Sequence, residues 1–262
     1  MGRVCWLLAL VLLLGAGCKV EDAPERLEQL MVFGFQHFED HRAQQVEIRE
    51  TLEPEVELDW DELNQGFRID TLSAEDLEDA GIEGADVSHI IGAVGGGQYR
   101  YPLQEVLEAI TEPAREQHYD HVVGWELLEQ SGYACFLEDR CQRYRWRARE
   151  TVKAGILGEV THTFDGVLRR FEDDQGEPFA VGRILSPERA EMTTNVVKLH
   201  QQFSYFVLYP HEGVTRRVEA FWIEAEVIGI DIPDAFAVDQ FAAGVARQIE
   251  RVDAYLDARA SL

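Results

Sequence analysis

The chain is expected to be an α+β protein in which a curved antiparallel sheet grips a long C-terminal helix, preceded by a helical acidic N-terminal region. Three observations predict this class. Phe241, Val245, Ile249, Val252 and Leu256 recur at three- and four-residue steps, which lays one apolar stripe along a long amphipathic helix. Residues 142–227 read as successive strands joined by short turns, of which Asp173-Asp174-Gln175-Gly176 and Pro210-His211-Glu212-Gly213 are the clearest. A sheet with one apolar face must bury it, and the helix that follows is the natural cover. Finally, residues 19–120 carry 26 acidic and 7 basic side chains, so most of the net charge of −25 sits in the front of the chain.

At 262 residues and 46% hydrophobic, the chain can bury one sizeable core with a smaller companion. Its acidity repels phosphate backbones, so no nucleic-acid partner is expected, and an electrostatic membrane patch is absent from the pattern.

The front of the chain suggests a compartment. Arg3 precedes the apolar run Val4-Cys5-Trp6-Leu7-Leu8-Ala9-Leu10-Val11-Leu12-Leu13-Leu14, which is too short to span a bilayer comfortably, and Gly15-Ala16-Gly17-Cys18 follows. This pattern resembles a bacterial lipoprotein signal, with Gly15 standing where a leucine is usual. The resemblance implies removal of residues 1–17, lipidation of Cys18, a tether over residues 18–23 and attachment to the cell envelope. Lys19 after the cysteine implies the outer membrane. In an oxidising envelope Cys135 and Cys141, flanking a turn-like insert, are expected to form a local disulfide. Their spacing does not suit zinc.

Residues 24–84 form the acidic helical region, expected as a lid or extension. Pro24 can open a helix with Leu27, Leu30, Met31, Gly34, Phe38 and Ile48 close to one face, and Pro54 stops it. Two shorter helices are expected at residues 59–66 and 73–80, the second opened by Ser73 with Asp76 and closed near Gly81. His37 and His41 stand four apart without a third ligand, and Asp59, Asp61 and Gly66 miss the calcium-loop spacing, so no metal site is expected.

The body is expected over residues 85–262. Gly92, Gly95, Gly96 and Gly97 lack phosphate-loop spacing and read as a turn or a close backbone approach. Gln98-Tyr99-Arg100-Tyr101 is a short strand candidate. A helix from Pro102, a break at Pro113 and a second helix through Gln130 follow, before the strands and the closing helix. This order resembles the START-like helix-grip superfamily over residues 98–260. Within the strands, Tyr144, Trp146 and Ala148 alternate with Arg143, Arg145, Arg147 and Arg149, giving an apolar face and a basic, solvated one.

The START-like resemblance implies a space between sheet and helix that holds hydrophobic molecules, lipids among them. Tyr144, Trp146, Phe164, Phe203, Tyr205 and Trp222 are candidate lining residues, with His200, Gln202, Arg217 and Glu219 as candidate polar contacts; His162 is a further polar strand residue. No hydrolase elbow, metalloprotease helix or activated cysteine is present, so no catalytic residue and no cofactor is assigned. The expected function is a lipid-anchored, non-catalytic envelope protein whose body binds a hydrophobic ligand. An alternative is a structural lipoprotein docking an envelope protein through its acidic region. A cyclase-type enzyme, with His200 and Glu219 as its acid–base pair, is the third reading.

Overall fold

The computed structural model describes residues 22–40, 42–52, 60–83, 87–113, 122–153, 158–193, 197–227 and 234–261. The signal-like segment, Cys18, most of the tether, His41, Pro54 and Asp59 lie outside these residues.

The acidic region begins with α1 (Leu27–Gln36) and α2 (Arg42–Glu50), separated by a 3-10 turn at His37–Glu39. The single long helix expected here is therefore broken near His37. Next come α3 (Trp60–Gln65), a three-residue strand β1 (Phe67–Ile69) and α4 (Ala74–Asp79). Helix α4 starts on the expected capping box. Ser73 Oγ accepts from the Asp76 backbone at 3.2 Å, and Asp76 Oδ2 accepts from the Ser73 backbone at 2.6 Å.

A glycine-rich strand, β2 (Ile90–Tyr99), leads to α5 (Leu103–Ile110), β3 (Val122–Ser131) and the short α6 (Tyr133–Leu137). Strands β4 (Arg143–Lys153), β5 (Glu159–Glu172), β6 (Pro178–Ser186), β7 (Glu191–Met192), β8 (Val197–His211) and β9 (Val214–Val227) follow, and α7 (Asp234–Ala260) closes the chain. The sheet order is β1-β2-β9-β8-β6-β5-β4-β3, with β7 paired to β5, and every pairing is antiparallel.

Two expectations are corrected. Of the second helix expected through Gln130, residues 114–121 lie outside the described residues, and the rest is β3, an edge strand held to β4 from Val122↔Val152 to Ser131↔Arg145 with two register shifts. The glycine stretch is not a turn but the middle of β2. Its role as a close approach does hold: a side chain at Gly97 would collide with Ile249 of α7.

Helix α7 lies along β2 and against α3 and α5 on the inner face of the sheet. Val238, Ala242, Val245, Ile249, Val252 and Leu256 are buried there, and Phe241 stacks on Phe221 at 5.1 Å. The outer face is covered too. Leu30, Met31, Phe35, Phe38, Ile48 and Leu77 join Phe203, Tyr205, Val207, Val218 and Trp222 in one buried apolar cluster. Residues of the acidic region thus cover part of the outer face of the sheet, and each large side chain so buried contributes roughly 1.5–3 kcal/mol.

Three aromatic rings fill the sheet surface over glycines directly across from them. Trp146 pairs with Gly166, Phe206 with Gly182 and Trp222 with Gly92, and each ring occupies the volume its partner's side chain would take. Two of these pairs lie on the inner face and one on the outer. They leave the sheet surface closely filled at all three places, of which the Phe206–Gly182 pair is central.

Candidate functional site

Strand alternation divides the candidate lining residues between two faces. Tyr144, Trp146 and Phe164 belong to the inner cluster, with Phe206, Leu208 and the α7 stripe. Phe203, Tyr205 and Trp222 point the other way, toward α1. Phe35 meets the rings of Phe203 and Trp222 edge-on at 6.5 and 5.3 Å, and Phe38 meets Tyr205 at 6.4 Å. Tyr205 donates to Gln45 Oε1 at 3.3 Å, and Trp222 Nε1 donates to the Asp70 carbonyl at 3.0 Å. Burial pushes the Tyr205 phenol far above its ordinary range, so it stays protonated. The expected set therefore does not line one space, because adjacent positions on a strand face opposite sides.

Arg217 and Glu219 do meet. They are two residues apart on β9, so their side chains share the inner face, where both are buried. Arg217 donates to Glu219 Oε2 from Nε at 3.0 Å, a second nitrogen stands 2.6 Å from the same oxygen, and a third donates to the Tyr99 hydroxyl at 2.8 Å. The guanidinium also lies 4.7 Å from the Phe206 ring centre. Burial by itself would lower the arginine's pKa, but the charge of Glu219 and the bond to Tyr99 outweigh it and raise it further. This is a fixed ion pair rather than an acid–base device. Sequence reasoning named both charged members and missed Tyr99; the i, i+2 spacing of Arg217 and Glu219 in a strand was the available signal.

His200 and Glu219 are not neighbours. Glu219 stands opposite Phe206, six positions along β8 from His200, which corresponds to about 20 Å of strand. His200 itself falls at the register shift between Leu199 and Gln201, while Gln202 sits opposite Ile223 on one side and Ser186 on the other.

The rest of the inner face is aromatic with one polar pair. Tyr144 stacks on Trp146 at 5.0 Å, and Phe164 touches Trp125 and His162 at 5.6 and 5.5 Å. His162 Nε2 lies 3.2 Å from Glu150 Oε2, and its buried Nδ1 has no hydrogen-bond partner among the described residues. Trp125, Leu127 and Ile184 remain half-buried around this wall.

Two shallow recesses lie among the described residues. One of about 10 Å³ lies between Thr111, Pro113, Trp125, Leu127, Tyr144 and Trp146, room for a single water. The other, about 180 Å³, is polar and bordered by Arg149, Thr161, His162, Thr163, Glu188 and Glu191. It opens where the β5–β6 ladder ends at Asp165↔Leu185, before β7 rejoins β5 at Thr161↔Glu191. Neither encloses the several hundred Å³ of a typical deep small-molecule pocket.

Cys135 and Cys141 form the expected disulfide, closing the segment around the end of α6. No cluster of three or more metal-ligating side chains occurs among the described residues. None of the described helices is long and apolar enough to cross a membrane.

No protein-family model matches the sequence, and no curated protein matches it. Among solved structures, the chain is similar to a STAR-related lipid transfer protein fragment from Xanthomonas axonopodis, at 12% identity and a TM-score of 0.42 over 66% of this chain and 97% of that one. It is also similar to a START superfamily protein from Mycobacterium smegmatis, at 9% identity and a TM-score of 0.37 over 64% and 97%. A third is Ara h 8.0201, at 10% identity and a TM-score of 0.38 over 64% and 99%. The resemblance to the START-like superfamily is thus weak and broad.

Proposed function

We propose that this chain is a non-catalytic binding protein whose inner sheet face takes a small hydrophobic ligand. The observation that carries this reading is the uneven cover of that face. Helix α7 lies over β2, whereas Trp125, Leu127 and Ile184 are left half-buried on the strands beyond it. The small size of the recesses favours a ligand lying against this wall over one enclosed whole. Attachment to a bacterial envelope through lipid on Cys18, with the outer membrane as its place, belongs to the same proposal and rests on the sequence pattern around that residue.

Native mass spectrometry of the purified protein, followed by organic extraction, tests the binding reading. A stoichiometric apolar adduct that is lost in Ile184→Arg supports it. A clean apo mass with no uptake of offered fatty acids or phospholipids overturns it.

A second reading, a scaffold that docks an envelope protein, is favoured by the filled centre of the sheet and by the exposed carboxylates of Glu75, Glu78 and Asp79 on α4. Salt-sensitive capture of a cationic envelope protein, lost on neutralising these three residues, would support it. The cyclase reading loses its acid–base pair, because His200 and Glu219 stand far apart.

A further inference from the structure

The outer face of the sheet gathers four arginines on an otherwise acidic protein. Arg143 and Arg145 alternate on β4, Arg169 stands directly opposite Arg143 on β5, and Arg183 follows opposite Val167 on β6. Like charges paired across a ladder are destabilising unless an anion lies between them. Here that anion is Glu39, from the turn after α1. Arg143 holds it through two bonds of 2.7 Å, one to each carboxylate oxygen, and Arg183 reaches Oε1 at 3.2 Å.

One carboxylate therefore serves a patch built for more. Arg169 is directed to the backbone carbonyls of Phe38 and Asp40, and the Asp40 carboxylate is taken by His37 Nδ1 at 2.6 Å. Arg145 is exposed and has no hydrogen-bonded carboxylate among the described residues. The Arg183 side chain is only 8% exposed, yet its Nε is buried without a hydrogen-bond partner among the described residues, as is the Nε of Arg143. Burial pushes Arg183 down to about 10, with Arg143, Arg169 and Arg145 adding to the fall and Glu39 only partly opposing it.

We propose that these four arginines form a binding site for a phosphate-class oxyanion, for which Glu39 is the built-in stand-in. Planar guanidinium groups that grip a carboxylate through two parallel bonds accept phosphate oxygens in the same way. Exchange of Glu39 for phosphate would release the turn at His37–Glu39 from the sheet and loosen α1 from the outer face. The site is separate from the inner-face reading above and stands or falls independently of it. The phosphate can be free or part of a lipid headgroup.

The test uses the full chain with inorganic phosphate, against chloride at matched ionic strength. In Glu39→Gln, phosphate is expected to raise the melting temperature well beyond chloride and to bind at least about tenfold tighter than in the unaltered chain. Adding Arg145→Gln, an exposed change, should remove most of that gain. Equal effects of phosphate and chloride on Glu39→Gln overturn the proposal, as does a gain indifferent to Arg145. Should Glu39→Gln fail to fold, hydrogen exchange of the unaltered chain decides: phosphate-dependent opening around residues 36–40 supports the site, and no change overturns it. Flotation with phosphatidylglycerol against phosphatidylcholine vesicles separates the sources. Preferential binding to the former beside the response to free phosphate extends the site to a lipid headgroup, and equal binding to both vesicles assigns it to free phosphate alone.

Discussion

Trp146 lies across the sheet from Gly166, and its indole fills the place where any side chain on Gly166 would stand. Phe206 does the same to Gly182. Both rings are buried on the inner face of the sheet. Gly166→Ala and Gly182→Ala are therefore overpacking changes, each expected to cost about 1–3 kcal/mol in urea unfolding. Gly244, in α7, has open space where a methyl would stand, with no neighbouring atom within 4 Å, so Gly244→Ala should instead stabilise by about 0.5–1 kcal/mol through helix propensity. Equal effects at all three positions would refute the packing account.

The Arg217–Glu219 pair makes a different prediction. Arg217→Met leaves a buried carboxylate without its cation and should destabilise by about 3–5 kcal/mol. Combining it with Glu219→Leu should recover most of that loss, since an apolar pair of similar volume suits the inner face beside Phe206. A double variant as unstable as the single one would show that the carboxylate has another structural partner. Denaturant titration of the three variants completes the cycle.

Acid should weaken the latch between the outer layer and the sheet. Burial alone would raise the Glu39 carboxyl, but the bond from Arg143 and the charges of Arg143, Arg183 and Arg145 hold it below its ordinary 4.5. A carboxylate with a depressed folded pKa stabilises fully above its unfolded value and loses that contribution as the pH falls through the folded one. The stability gap between the unaltered chain and Glu39→Gln should be constant from pH 7 to about 5 and close below 4.5. A gap undiminished on acidification below 4.5 would assign the effect of Glu39 to packing rather than charge. Because Glu39 is close to half exposed, salt should also narrow it.

The disulfide joins cysteines six positions apart, with five residues between them. So short a loop removes little chain entropy, and Cys135→Ser with Cys141→Ser should cost about 2 kcal/mol without unfolding the sheet. Thermal unfolding with and without reductant checks this. Loss of cooperative unfolding on reduction would mean that α6 anchors more of the fold than its five residues suggest.

The sequence by itself determined the elements whose periodicity is local. The alternation from Arg143 to Arg149 made β4, the apolar stripe of α7 made the closing helix, and Ser73 with Asp76 opened α4, because side-chain direction along a strand or helix follows from backbone geometry alone. The i, i+2 spacing of Arg217 and Glu219 carried the same kind of signal, although the sequence reading paired Glu219 with His200 instead. Tertiary structure decided the rest. Val122–Ser131 alternates poorly and reads as helical, yet pairing with β4 makes it a strand, since ladder bonds between distant segments override weak local preference. Alternation also says that Phe203 and Phe206 face opposite ways without saying what covers each. Only the docking of α1 on one face and α7 on the other placed Phe203, Tyr205 and Trp222 outside the candidate site and brought Glu39 to four arginines more than a hundred residues away. Such contacts are set by which surfaces meet when the chain collapses, and nothing in the local pattern of either segment records its partner.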